Sequence, residues 1–176
     1  EDIKRLASTL RKNTKPMLIA ANKIDVPGAI ENYERMKKEF PSYTIIPCSA
    51  ESELALREAH KKELIDYVPG TKDFIVTGSL SEAQEQALAF IQKHVLDVHG
   101  STGVQQTINT AVFDLLKYKA IFPGGVNNLV DSSGRCLPDC FLVPGTFTAL
   151  EFAFKLHTDI GTHFVKAIDV KKKIPI

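Results

Sequence analysis

Met17-Leu18-Ile19-Ala20-Ala21 is an unbroken apolar run that gives way at once to Asn22-Lys23-Ile24-Asp25. Such a run predicts a short strand buried on both faces, as in the parallel sheet of an α/β domain. Before it, Ile3, Leu6 and Leu10 recur at helical spacing over residues 3 to 12, and Asn13-Thr14-Lys15-Pro16 breaks the helix. After it, Val26-Pro27-Gly28 reads as a turn, and Ile30, Tyr33, Met36 and Phe40 form the apolar stripe of a second helix, a packing surface. Tyr43 to Pro47 predicts a second strand, ending in Cys48-Ser49-Ala50-Glu51 where a strand-helix-strand unit would place it.

The alternation then stops. Ser52 to about His60 continues as helix through Leu54, Ala55, Leu56 and Ala59, Val68-Pro69-Gly70 ends the region, and Asp73 to Gly78 is weakly extended. Ser81-Glu82-Ala83-Gln84 predicts a capping box opening a helix with Ala87, Leu88, Ile91 and Val95 on its buried stripe. A further helix starts after His99-Gly100-Ser101-Thr102-Gly103, with Val104, Ile108, Val112 and Leu115 on one face. From Val126 the texture changes to short strands and turns. Asn128-Leu129-Val130, the turn Asp131-Ser132-Ser133-Gly134 and Cys136 to Val143 predict a hairpin. Thr148 caps a helix carrying Leu150, Phe152, Ala153 and Leu156, and Phe164 to Val170 predicts one more strand. Two strands, a helix and a strand are the opening of a β-grasp fold.

The polar residues after the first strand carry the candidate chemistry. In open parallel sheets ligands bind at the carboxyl ends of the strands, where Asn22, Lys23 and Asp25 fall. An ionised carboxylate accepts two parallel hydrogen bonds, and guanine offers two adjacent donors, so Asp25 fits that edge. The Asn22 amide can donate to acceptors on the other side of the purine, and the Lys23 stem can lie along the base. Adenine would leave Asp25 facing an acceptor, and a site with a polar group left unpaired rejects a near-isostere by roughly 10⁴ or more.

Length and composition narrow the class without deciding the function. With 176 residues and 44% apolar content, the chain can build one large domain or two small ones. A formal charge of +1 with interspersed signs offers no bulk electrostatic argument for nucleic acid or anionic membrane. No run of about 18 apolar residues points to a membrane and no signal-peptide pattern to secretion, so a cytoplasmic protein is expected. The three cysteines, Cys48, Cys136 and Cys140, lack metal spacing and fit a reduced compartment, the latter two as small buried hydrophobes. His157 and His163 have no third ligand at suitable spacing and read as a capped helix end, and Lys171-Lys172-Lys173 reads as a solvated turn.

Three segments together resemble one family, the archaeal and fungal branch of the YchF GTPases within the Obg group. They are Lys15 to Asp25, Gly100-Ser101-Thr102-Gly103-Val104-Gln105, and Leu137-Pro138-Asp139 with Phe152 to Gly161, the last similar to the core of a TGS domain. The resemblance implies an α/β fold: the carboxyl-terminal part of a P-loop GTPase domain over 1–51 and 101–122, a helical insertion over 52–100, and a truncated β-grasp, TGS-like α+β domain over 126–176. It implies GTP or GDP as ligand, read by Asn22, Lys23, Asp25, Ser49, Ala50 and Glu51. A backbone N–H of the Ser-Ala element would meet the guanine carbonyl. Slow GTP hydrolysis and association with ribosomes or RNA are implied as well.

No G-x-x-x-x-G-K-[ST] segment occurs in the sequence, so the phosphate cradle, its lysine and the hydroxyl for magnesium are expected in an amino-terminal half outside this chain. The chain by itself is expected not to hydrolyse GTP, since phosphoryl transfer depends on those parts, and magnesium is expected only with the longer protein. Asp97-Val98-His99-Gly100 matches the Asp-x-x-Gly pattern of a magnesium loop, but it follows the guanine loops and reads as coincidence. An alternative from a different class is a docking module whose TGS-like segment and helical insertion bind RNA or ribosomal protein whatever the nucleotide state.

Overall fold

The computed structural model describes residues 1–125, 129–137 and 139–176, and the chain divides into two compact units, Glu1–Leu115 and Leu116–Ile176. In the first unit, α1 (Asp2–Thr14) precedes β1 (Leu18–Ala21), α2 (Ala29–Glu39), β2 (Thr44–Pro47) and α3 (Ala50–Lys61). The strands β1 and β2 pair in parallel, from Leu18 opposite Thr44 to Ala21 opposite Pro47, with α2 as the crossover. Burial differs from the expectation drawn from the apolar runs. Ala20 is exposed and its β1 neighbours are only half-buried, α2 has no fully buried residue, and Ile3 of α1 is 82% exposed. The physical reason is cover: among the described residues β1 pairs with β2 alone, so one edge of it has no strand beside it.

The core of this unit lies beyond the parallel pair. Leu56 of α3 packs with Ile65 and Tyr67, and with Leu88, Ile91, Val95 and Leu96 from the next helical stretch. That stretch is α4 (Glu82–Ile91), a wider π-helical turn at Gln92–Leu96, and α5 (Asp97–His99), which ends where the Gly100 N–H returns to the Leu96 carbonyl at 2.8 Å. The capping box is formed: the Ser81 hydroxyl accepts the Gln84 N–H and the Gln84 side chain accepts the Ser81 N–H. Two short antiparallel strands, β3 (Ile65–Asp66) and β4 (Ile75–Val76), close the region between α3 and α4. The unit ends with α6 (Val104–Asn109), which runs into a second π-helical turn at Thr110–Leu115.

In the second unit β5 (Tyr118–Ile121) pairs antiparallel with β6 (Phe141–Pro144). The hairpin expected over 128–143 is represented, among the described residues, by an isolated bridge between Val130 and Cys136. Part of that reading, at Asn128 and Pro138, falls outside the described residues. The Asp131 turn itself forms, because the carboxylate accepts the N–H groups of Ser133 and Arg135 and pairs with the Arg135 guanidinium. Cys136 and Cys140 are exposed, not buried, since neither lies within the paired length of β6. The helix α7 (Ala149–Leu156) carries a full capping box from Thr148 and Glu151, and its Phe152 meets Phe141 edge-on at 5.6 Å. His157 then caps α8 (Thr158–Thr162) by accepting the Asp159 N–H at its Nδ1. The strand expected over 164–170 narrows to β7 (Ile168–Asp169), paired with β8 (Ile174–Pro175) around a turn in which Asp169 accepts the N–H groups of Lys171 and Lys172.

Candidate functional site

The loops that follow β1 and β2 leave adjacent ends of the parallel pair and are tied together by one amide. Asn22 follows β1 directly, and its Oδ1 accepts the Lys23 N–H at 2.8 Å and the Ala50 N–H at 3.0 Å, with the Cys48 thiol 3.9 Å away. Two backbone donors fix the oxygen on that side, which turns Nδ2 the other way. The backbone ladder continues past the strand ends, Cys48 N–H to the Ala21 carbonyl and Ile24 N–H to the Cys48 carbonyl, and Ile24 is buried beneath the loop. Lys23 takes a φ of 66°, an uncommon left-handed conformation for a side-chain-bearing residue, and its carbonyl accepts the Val26 N–H at 3.1 Å. This tight reversal leaves Lys23 exposed and Asp25 half-buried, with no hydrogen bond to the Asp25 carboxylate among the described residues.

Ser49, 1% exposed, is the N-cap of α3: its Oγ accepts the Ser52 N–H and donates to the Ser52 hydroxyl at 2.8 Å. Its side chain therefore serves the fold. Ala50 and Glu51, both exposed, open α3, and the Glu51 N–H has no partner among the described residues. Thus the structure brings Asn22, Lys23 and Ala50 into direct contact, turns the Ser49 side chain inward, and leaves Asp25 and the Glu51 amide available. A cavity of about 420 Å³ lies beside this site between β1 and α2, lined by Ile19, Ala21, Asn22, Lys23, Tyr33 and Met36 among others. No cluster of three or more metal-ligating side chains occurs among the described residues, and no helix among them is long and apolar enough to cross a membrane.

A buried polar cluster behind the Ser49 loop escapes sequence reasoning. Glu53, 4% exposed, accepts three hydrogen bonds: from the Thr102 hydroxyl at 2.6 Å, the Tyr67 hydroxyl at 2.8 Å and Arg57 Nε at 2.6 Å. Burial by itself would raise its pKa, but the hydrogen bonds from Thr102, Arg57 and Tyr67 and the Arg57 charge outweigh it and hold the carboxyl below its usual value. Burial and the same carboxylate push the Tyr67 hydroxyl up to about 12, and burial also raises the Cys48 thiol. The signal available in the sequence was spacing: Glu53 sits four residues after Ser49 and three before the core residue Leu56, on one helical face.

For a chain with this parallel strand pair and its Asn-Lys-x-Asp and Ser-Ala-Glu loops, the comparisons with known proteins give the family. The chain belongs to the Obg-like GTPases. Within them, the family model for the YGR210-like G4 motif-containing domain matches residues 20–126. It is 46% identical, over its whole length, to an uncharacterized GTP-binding protein, MJ1332, of Methanocaldococcus jannaschii, and spans 45% of that protein's length. An uncharacterized GTP-binding protein of Schizosaccharomyces pombe, C428.15, is 34% identical over 76% of the chain and 35% of its own length. The crystal structure of a GTP-binding protein from Pyrococcus horikoshii superposes with a TM-score of 0.68 at 39% identity, covering 97% of this chain and 44% of that one.

Proposed function

We propose that this chain supplies the base-recognition half of a guanine-nucleotide pocket in a YchF-type nucleotide switch. In the longer protein, other segments would hold the phosphates and magnesium and hydrolyse GTP to GDP and phosphate, and the chain alone would bind without hydrolysing. The observation that carries this reading is the 3.0 Å hydrogen bond from the Ala50 N–H to Asn22 Oδ1, which locks the two loops side by side at the carboxyl ends of adjacent parallel strands. Asp25 would accept the ring N–H and the 2-amino group of guanine, Asn22 Nδ2 would donate to the imidazole side of the purine, and the Lys23 stem would cover the base. Because the Ala50 N–H is engaged by Asn22, the Glu51 N–H becomes the donor assigned to the guanine carbonyl. Residues 52–100 serve as a helical insertion in the GTPase domain. Residues 126–176 are the TGS-like, β-grasp module that docks on RNA or the ribosome in the cytoplasm.

The test is a titration of the chain with GDP and with ADP to millimolar concentration, followed by amide chemical shifts. GDP-dependent shifts concentrated on residues 22–25 and 49–51, with none from ADP, are expected. Equal response to both nucleotides, or to neither, would overturn the reading.

A further inference from the structure

The buried carboxylate of Glu53 does no evident work for the core that an apolar residue would not do better, since removing a charge from water costs several kcal/mol before its partners repay it. Its partners, however, come from three separate stretches. Tyr67 follows β3, Arg57 is one turn along α3, and Thr102 arrives from 49 residues away in the loop before α6. Thr102 is itself 1% exposed, and its carbonyl accepts the Ser49 N–H at 2.9 Å. Next to it, Gly103 lies so close to the strand end that an added Cβ would stand 2.0 Å from the Pro47 carbonyl oxygen and 3.0 Å from Cys48 Cα. The Thr102-Gly103 loop is therefore pressed onto the backbone of residues 47–49 and anchored by Glu53, while Asn22 holds the next amide, that of Ala50.

We infer that Glu53 and Thr102 are positioning residues for base selection: together they set the backbone of Ser49-Ala50-Glu51 so that the Glu51 N–H meets the carbonyl at position 6 of a guanine. The inference rests on the proposed guanine pocket and deepens it by assigning the two ends of the base to different parts of the chain. Asp25 reads the 2-amino edge, and the Glu53-Thr102 pair governs the 6-carbonyl edge. Neither positioning residue touches the nucleotide.

Three ligands separate the two edges. GDP carries both groups, IDP lacks the 2-amino group, and 2,6-diaminopurine riboside diphosphate has an amino group in place of the 6-carbonyl and no ring N–H at position 1, a loss at Asp25 that is the same in every variant compared. In Thr102→Val, a near-isosteric change, GDP and IDP are expected to weaken together by about tenfold, leaving their ratio as it was. The preference for GDP over the diaminopurine nucleotide is expected to collapse by the same factor, and Thr102→Ser is expected to restore it. Without any ligand, exchange of the Ser49 amide with solvent is expected to accelerate at least about tenfold in Thr102→Val and in Glu53→Gln. Amide spectra report whether each variant is folded, and the second variant stands in if the first is not. GDP preference in the unsubstituted chain that survives intact in the variants would overturn this inference alone. So would an equal loss for all three nucleotides, or an unchanged Ser49 amide. Absence of GDP preference in the unsubstituted chain would overturn the pocket reading, and the inference with it.

Discussion

Asn22 directs its amide oxygen to the protein, which in the proposed pocket leaves base recognition to its nitrogen and to Asp25. Asp25 is half-buried and makes no hydrogen bond among the described residues, so its substitution tests recognition with little disturbance of packing. Asp25→Asn should lower GDP affinity by about tenfold to a hundredfold, the range of one charge-assisted hydrogen bond. It should also favour xanthine nucleotides, because the new amide can donate to the carbonyl that replaces the 2-amino group. Competition binding with GDP and XDP reads both effects, and a variant that loses both nucleotides equally would remove Asp25 from base reading. These loop residues were legible in the sequence because an apolar run ending abruptly in Asn-Lys-Ile-Asp places its polar groups at a strand terminus. Glu53 was not, because a glutamate in a helix is ordinarily a solvated residue, and its partners Tyr67 and Thr102 lie 14 and 49 positions away.

At the scale of elements, glycines of equal conformation but unequal surroundings separate two costs. Gly103 and Gly134 have φ of +76° and +78°, yet a Cβ at Gly134 would meet nothing within 4 Å. Gly134→Ala should therefore cost about 1–2 kcal/mol, the strain of the left-handed conformation alone. Gly103→Ala must add displacement of the Pro47 carbonyl and should cost clearly more, and denaturant midpoints for the pair would measure the difference. Ser81→Ala, which removes half of the capping box on α4, should cost about 1 kcal/mol by the same measurement. The box at Ser81 could be read from sequence because its partners are three residues apart, whereas Thr148 reads there as a cap without its partner Glu151. The pair β3 and β4 could not, since each strand is two residues long and is defined by its partner. Pairing was misjudged at Phe141–Pro144, where the nearer segment was the obvious neighbour and the more distant Tyr118–Ile121 is the real one. The apolar stripes of α1 and α2 were legible as stripes, but a stripe tells which face is apolar and not whether anything covers it.

Across the molecule, stability should fall at both ends of the pH range through the same cluster. Glu53 has a depressed pKa, so its contribution is complete above the ordinary carboxylate value and is lost as pH falls through the folded value. Outside that cluster, burial lowers the His99 pKa, so charging that ring adds to the acid-side loss as pH drops below about 6.5. Tyr67 is raised from 10.0 to about 12, so its contribution is complete below 10.0 and disappears as pH rises toward 12. Denaturant midpoints across pH should flatten on the acid side in Glu53→Gln and on the alkaline side in Tyr67→Phe. The 49-residue span from Glu53 to Thr102 also has a meaning in time. During synthesis, residues 22–25 and 49–51 leave the ribosome well before Thr102. At about 5–20 residues per second the loop then waits roughly 2 to 10 s for its anchor. If the proposed pocket holds, a nascent chain halted short of Thr102 would carry every residue assigned to the base and still lack the brace proposed to align them.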